Sequence, residues 1–149
     1  MLALEYGIPP EATAVLEMDA TLDNLDAAFT LIRNELSGRH CPITAQRKVD
    51  IALEELFVNV CRYAYKDTGG VGRVRVEYVY NANPSTITVA LTDWGVPFNP
   101  LEYADPQRPQ TSGDAKIGGL GILMAKRSTD DLSYVRDGDA NVVVFRKSW

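Results

Sequence analysis

The sequence predicts a single α+β domain of 149 residues, built from amphipathic helices and antiparallel hairpins. Apolar residues recur at helical spacing over residues 22–36 and again over residues 43–65, which is typical of helices that bury one face. Residues 73–80 and 86–92 alternate instead between apolar and polar side chains, on either side of a turn. This alternation predicts a hairpin with one dry face and one polar face. No repeat or shift in composition indicates a second domain within residues 1–149.

The rest of the chain extends the same pattern. Residues 1–11 are expected to be an irregular lead, because Pro9 and Pro10 lack amide donors. Residues 99–117 are rich in Pro, Gln, Asp and Ser and have no apolar period, so they form either a lid over a site or a disordered loop. The remaining predicted elements are an edge strand at 12–18, a helix at 118–129 and a closing hairpin at 132–135 and 141–146.

Composition and charge exclude several classes of function. Twenty acidic residues against fifteen basic ones give a net charge of −5, which disfavours non-specific binding to nucleic acid. Cys41 and Cys61 lack the spacing of metal ligands and are predicted to be reduced thiols. No segment resembles a signal peptide or a membrane span. We therefore expect a cytoplasmic protein that contacts neither nucleic acid nor membrane directly.

Residues 53–65, which read LEELFVNVCRYAY, place polar side chains beside a predicted buried stripe. Glu55, Asn59 and Tyr63 are spaced four residues apart and would line the edge of that stripe on a helix. A carboxylate in such a position can act as a general base, and an amide oxygen one turn away can bind Mg²⁺. The alternative is that Glu55 and Asn59 merely flank a core helix, and this stretch alone favours that interpretation.

Two further motifs suit a nucleotide. The sequence Asp-Trp-Gly-Val-Pro-Phe at residues 93–98 ends a predicted strand; Asp93 can accept from an exocyclic amine, and Gly95 lets a flat ring approach the backbone. The glycines of residues 118–122 open a predicted helix, whose free N–H groups can bind phosphates. The alternatives are an ordinary turn aspartate and a flexible hinge. Each motif alone is weak.

Together, in this order and at these separations, the three motifs resemble the ATP-binding boxes of the GHKL superfamily. That superfamily includes gyrase, the heat-shock chaperone ATPases, sensor histidine kinases and the mismatch-repair ATPases. The chain is most similar to its small stand-alone branch, the anti-sigma regulatory factors that are serine/threonine protein kinases. The resemblance covers nearly the whole chain. It implies an α+β two-layer sandwich with a mixed, mostly antiparallel sheet, helices on one face and an ATP lid at 99–117.

The resemblance also implies roles for individual residues. Glu55 corresponds to the general base that activates the attacking hydroxyl, and Asn59 to the Mg²⁺ ligand. Asp93 corresponds to the acid that recognises adenine. Lys116 and Arg108 are assigned to the terminal phosphate on charge alone. The implied nucleotide-binding set is Asn59, Asp93, Gly95, Val96, Gly118, Gly119, Leu120, Gly121 and Lys116.

The function implied by the resemblance is an ATP- and Mg²⁺-dependent kinase that acts as an anti-sigma regulatory factor. It would phosphorylate a small STAS-type antagonist and sequester a sigma factor or similar regulator, and the branch is compatible with a homodimer. Members often carry a histidine where this chain has Tyr63, but the retained Glu55 and Asn59 are compatible with an active kinase of slow turnover. The alternatives are a non-catalytic ATP-binding module for partner switching and a sensor histidine-kinase domain. The latter needs a separate partner chain, because the only histidine is His40.

Overall fold

The computed structural model describes residues 11–103 and 119–149. Within these residues the chain forms five strands of one sheet, and each extends the predicted strand by one or two residues at one or both ends. The strands are Ala12–Asp19 (β1), Arg73–Asn81 (β2), Thr86–Asp93 (β3), Asp131–Asp137 (β4) and Ala140–Ser148 (β5).

Three α-helices connect these strands in the described part of the chain. The second helix continues directly into one turn of π-helix, where the sequence predicts one uninterrupted helix to Tyr65. The α-helices are Leu25–Gly38 (α1), Ile43–Asn59 (α2) and Gly119–Ser128 (α3), and the π-helical turn is Val60–Ala64.

The strand order is β1-β2-β3-β5-β4, so β1 and β4 are the two edges of the sheet. All four neighbouring pairs are antiparallel. The predicted α+β sandwich is confirmed. The sheet was predicted to be mixed and mostly antiparallel, but no pair of described strands is parallel. Both predicted hairpins, β2 with β3 and β4 with β5, are present.

The register of the strands divides the sheet into a helix-covered face and an open face. On β2, Val74, Val76 and Tyr78 are buried in the same cluster as the inward faces of the three helices, as their alternation predicts. The opposite face of the sheet carries exposed ion pairs such as Arg73 with Asp19, together with a small apolar cluster of Val79, Ala90 and Val144. The helices therefore lie on one face only.

The predicted stripe on α2 is the centre of the core. The stripe consists of Val49, Leu53, Leu56 and Val60, which are all buried, while Glu54 on the far side is exposed to solvent. Because the stripe faces the sheet, the neighbouring line of Glu55, Asn59 and Tyr63 lies at its margin and is half-buried.

Several predictions fall partly or wholly outside the described residues. Of the lid predicted at 99–117, only the start is described, and it contains a short 3₁₀ helix at Pro100–Tyr103. Gly118, Lys116 and Arg108 lie outside, as do residues 1–10 of the irregular lead. Cys41 and Cys61 are free thiols. Among the described residues, no helix is both long and apolar enough to cross a membrane.

Replacing Leu53 by alanine tests the central position of α2. Leu53 is 0% exposed, so we expect Leu53→Ala to lower the free energy of unfolding by about 2–5 kcal/mol through lost burial and a residual cavity. Leu22→Ala is the matched control because Leu22 is 49% exposed, and it should change stability by no more than about 0.5 kcal/mol. Urea unfolding followed by circular dichroism measures both. Equal losses in the two variants would contradict this description of the core.

Candidate functional site

Asp93 and Asn141 form a buried hydrogen-bonded pair at one end of the sheet. They are directly opposite each other in the β3–β5 register and are 6% and 2% exposed. Asn141 Nδ2 donates to Asp93 Oδ1 over 2.9 Å and to the Val96 carbonyl oxygen over 2.8 Å. Its Oδ1 accepts from the Phe98 amide over 3.1 Å and from the Tyr134 hydroxyl over 2.7 Å. The full bonding capacity of this side-chain amide is therefore used.

The environment of Asp93 pulls its pKa in two directions. Burial raises the pKa of this carboxyl, while the bonds from Asn141 and from the Gly95 amide, and the charge of Arg136, lower it; burial is the largest effect. The Gly95 amide donates to Oδ1 over 3.0 Å, the same oxygen that Asn141 contacts. Oδ2 is consequently the oxygen suited to accept a hydrogen bond from a ligand.

The turn that follows Asp93 is fixed to the end of the second helix. The Val96 amide donates to the Ala64 carbonyl over 3.0 Å, and the Trp94 amide donates to the Tyr65 hydroxyl over 2.8 Å. A Cβ at Gly95 would overlap the Ala64 carbonyl, so glycine is needed there for the turn to approach the helix. This packing requirement is separate from the predicted approach of a flat ring.

Asn59 presents a side-chain amide whose Nδ2 is buried and has no hydrogen-bond partner among the described residues. Leaving a buried donor unpaired costs about 1–3 kcal/mol. A half-turn of the amide exchanges its oxygen and nitrogen ends, so the same position can offer either a donor or an acceptor. An unpaired amide at the edge of the core is a group suited to a ligand.

Glu55 lies against the glycine motif. It is half-buried, and its pKa is raised, first by burial and then by the adjacent Glu54, while Arg62 opposes the shift. A Cβ at Gly121 would overlap the Glu55 carboxylate, so the glycine at this point of α3 allows the two helices to bring these residues together. The motif at residues 53–65 therefore meets the described part of the glycine motif at Gly121.

The cavity where Asn59 and Asp93 meet is small. Its volume is about 20 Å³, room for about one water molecule. The Tyr63 and Phe98 rings contact each other with centroids 6.3 Å apart. Larger surface cavities of about 440 and 480 Å³ lie elsewhere and contain neither residue. The lining residues of the small cavity are Leu56, Asn59, Val60, Ala64, Asp93, Phe98, Pro100, Asn141 and Val143.

The structure brings some predicted site residues together and separates others. Asn59 and Asp93 share one cavity, whereas Val96 and Leu120 are largely exposed. Gly119 is the first residue of α3. Gly118 and Lys116 lie outside the described residues.

Sequence reasoning gave no role to Asn141 or Tyr65, although both hold the Asp93 turn. Asn141 directly precedes the apolar run Val142–Phe145, and this position could have indicated a role. A polar residue next to a buried strand is often buried itself, and a buried amide needs hydrogen-bond partners.

Comparison with known proteins defines the class of this chain. Residues 18–147 match the family model described as the histidine kinase-like ATPase domain. The chain belongs to this family of ATPase domains, and its resemblance to the GHKL superfamily is thereby confirmed. No curated protein matches the chain by sequence.

Two solved structures share the fold at 13% sequence identity. The RsbU and RsbW domains of a Mycobacterium tuberculosis protein align with a TM-score of 0.63 over 93% of this chain and 33% of that one, so this chain spans about a third of its length. The SiaB–SiaC complex from Pseudomonas aeruginosa aligns with a TM-score of 0.57 over 90% of this chain and 89% of that one. At this identity the likeness establishes the fold.

The raised pKa of Asp93 predicts a pH dependence of stability. Between its ordinary value of 3.8 and the higher value in the folded state, the folded protein binds more protons than the unfolded one, so stability contributed by this group falls as pH rises. Asp93→Asn removes this titration. We therefore expect Asp93→Asn to be more stable relative to the wild type at pH 7 than at pH 4, so that the free energy of unfolding of the variant minus that of the wild type is larger at pH 7. Urea titrations at the two values measure this difference, and the opposite sign would contradict the assignment.

Proposed function

We propose that this chain is an ATP-dependent protein kinase that phosphorylates a serine or threonine of a small STAS-type antagonist and acts as an anti-sigma regulatory factor. The observation that carries this proposal is the convergence of Asn59 and Asp93 on one cavity, with Glu55 against Gly121 beside it. Membership of the ATPase-domain family supports the use of ATP. One similar structure is a complex of two proteins, SiaB and SiaC, which supports a protein partner.

Adenine recognition is assigned to Asp93. Its Oδ1 is occupied by Asn141 and the Gly95 amide, so Oδ2 accepts from the exocyclic amine of the base. The apolar side chains of Leu56, Val60 and Val143 line the same cavity and suit the faces of a purine ring. Since the cavity holds about one water molecule, the Phe98–Pro100 segment must move aside when the base enters.

Mg²⁺ fits the donor set at Asn59. The buried, unpaired amide supplies one neutral oxygen ligand after a half-turn, and Mg²⁺ typically takes one or two protein ligands together with phosphates and water. Among the described residues there is no cluster of three or more His, Cys, Asp or Glu that would form an all-protein metal site. When bound, the ion would neutralise part of the negative charge of the phosphates.

The phosphates are assigned to the start of α3. This ten-residue helix begins at Gly119, and amide groups at a helix start are not paired within the helix, so they can donate to phosphate oxygens. Gly118, Leu120, Gly121 and Lys116 complete the proposed phosphate site, and Val96 the proposed adenine site.

Glu55 is proposed as the general base. Its raised pKa makes it a stronger proton acceptor than an exposed carboxylate, and its contact with Gly121 places it beside the proposed phosphate site. Glu55 takes the proton of the acceptor hydroxyl as that oxygen bonds to the γ-phosphorus. The bond from the γ-phosphorus to the bridging oxygen breaks, and ADP leaves with that oxygen.

One observation favours the non-catalytic alternative. Tyr63 stands where this branch often has histidine, and its ring packs on Phe98, which lines the cavity. In that case the chain uses ATP only to shape a surface for its partner. In either case, the proposal includes binding of a sigma factor or similar regulator and formation of a homodimer.

Calorimetric titration with ATP, with and without Mg²⁺, tests the nucleotide site. Asp93→Asn replaces the carboxylate that accepts from the adenine amine by an amide that can also donate. We expect the affinity for ATP to fall about 10- to 150-fold, which corresponds to the loss of one hydrogen bond to a charged group. Asn59→Ala should abolish the gain in affinity that Mg²⁺ gives the wild type. Asn34→Ala on the exposed side of α1 is the control and should bind like the wild type. A wild type that binds no adenine nucleotide would overturn the proposal.

The neighbouring glutamates of α2 give a matched test of catalysis. We expect Glu55→Gln to reduce γ-phosphate transfer to a STAS-type protein of the same organism by about 10²–10⁴-fold, because the base is lost, while ATP affinity changes less than about twofold. Glu54→Gln removes an exposed charge whose effect on the pKa of Glu55 is smaller than that of burial, and it should reduce transfer far less than Glu55→Gln does. Transfer of label from γ-labelled ATP measures both.

The outcomes separate the two candidate functions. Full activity in Glu55→Gln would contradict the role of this residue. A wild type that binds ATP but labels no STAS-type protein would support the non-catalytic alternative.

A further inference from the structure

The hydroxyl of Tyr65 bridges the ends of two strands. It donates to the Arg73 carbonyl over 2.6 Å and accepts from the Trp94 amide over 2.8 Å. Arg73 is the first residue of β2, and Trp94 directly follows the last residue of β3. A side chain that follows the π-helical turn therefore ties the helix to the sheet at the point where the Asp93 turn begins.

The ring of Tyr65 is held in place by its neighbours. A Cβ at Gly72 would overlap the ring, so the chain passes it closely at a glycine. Tyr65 and Gly72 line two surface cavities, of about 440 and 380 Å³. Burial raises the pKa of the Tyr65 hydroxyl, which keeps the group protonated at neutral pH. Its one proton is directed to Arg73, and a lone pair remains for Trp94.

The helix end holds the Asp93 turn at two successive points. Tyr65 receives the Trp94 amide and the Ala64 carbonyl receives the Val96 amide, while the Gly95 amide between them donates to Asp93. Tyr65 follows Asn59 on the same continuous helical segment. These bonds fix the position of the Asp93 carboxylate relative to the Asn59 amide. Tyr65 is absent from the lining of their shared cavity, so it acts only through the turn.

We propose that Tyr65 is a positioning residue for purine recognition: it holds the Asp93 turn against the helix that carries Asn59. This inference rests on the proposed nucleotide site. Without the hydroxyl, the Trp94 amide and the Arg73 carbonyl both lose their partner, and the turn is held mainly by Ala64 and Asn141. The Asp93 carboxylate is then free to move, and its hydrogen bond to the base becomes weaker. Because that bond distinguishes a purine with an exocyclic amine from one with a carbonyl, the selectivity of the site falls.

Tyr65→Phe tests this role against Tyr78→Phe. Tyr78 also lies against the core, and its hydroxyl donates to Glu35 over 2.7 Å, far along the sheet from the cavity. We expect Tyr65→Phe to weaken ATP binding about 5- to 30-fold and to lower the preference for ATP over GTP. Tyr78→Phe should lower stability yet keep both affinity and preference within about twofold.

Amide hydrogen exchange without nucleotide provides a second readout. The Trp94 amide should exchange about 10-fold faster in Tyr65→Phe than in the wild type, while the Val89 amide in the middle of β3 keeps its rate. Should Tyr65→Phe fail to fold, Gly72→Ala retains the hydroxyl but displaces the ring, and the same losses are expected.

The results distinguish this inference from the proposed function. If Asp93→Asn loses ATP while Tyr65→Phe binds like Tyr78→Phe and Trp94 exchange is unchanged, the positioning role is overturned and the nucleotide site stands. If the wild type binds no ATP, the proposed site fails and the role in purine recognition fails with it. Selective loss of affinity and preference in Tyr65→Phe, with faster Trp94 exchange, supports the role.

Discussion

The buried carboxylate of Asp93 imposes the constraint on which the rest of the site depends. A carboxylate in a low-dielectric setting is costly unless hydrogen bonds compensate it, and here Asn141 and the Gly95 amide do so while Arg136 adds a favourable charge. The β3–β5 register provides Asn141, because it pairs directly with Asp93. A slip of one residue would turn Asn141 to the open face of the sheet and leave the carboxylate without its main partner.

One helical segment supplies most of the remaining geometry. Glu55 and Asn59 occupy successive turns beside the buried stripe, and the π-helical turn then carries Ala64 and Tyr65 to the Asp93 turn. A π-turn holds more residues than an α-turn and so rotates the side chains that follow it, which is one reason such turns are frequent at functional sites. The spacing of Glu55, Asn59 and the two groups that hold the Asp93 turn is therefore set by one continuous helical segment.

Much of the fold could be predicted because its signals are local. Strict alternation located both strands of the β2–β3 hairpin, and the apolar stripe of α2 placed Glu55 and Asn59 at the edge of the core. The sequence could not show which distant groups pair with the site. Asn141 lies 48 residues from Asp93 and the Trp94 amide 29 residues from the Tyr65 hydroxyl, and periodicity reports only on neighbours within a few residues. The π-turn was missed because an apolar run gives no sign of one extra residue per turn.

Gly95 and Gly121 show that a glycine predicted to face a ligand can have a second reason to be glycine. The sequence predicts backbone access to a ring at Gly95 and to phosphates at Gly121, whereas the structure shows that each glycine accommodates a close protein contact. Gly95 admits the Ala64 carbonyl, and Gly121 admits the Glu55 carboxylate. A glycine motif in a sequence therefore indicates that something approaches the backbone closely, whereas only the fold shows whether that neighbour is a ligand or the protein itself.

The closed cavity joins these constraints. Phe98 is bonded through its amide to Asn141 Oδ1, and its ring contacts Tyr63, so moving this segment disturbs a bond to the residue that holds Asp93. The Tyr134 hydroxyl donates to the same oxygen over 2.7 Å and keeps the Asn141 amide in its orientation when the Phe98 bond is lost. The Asp93 carboxylate thus keeps its Asn141 partner even if the Phe98 bond is lost, because the two bonds to Asn141 Oδ1 come from different parts of the chain, Tyr134 on β4 and Phe98 after β3.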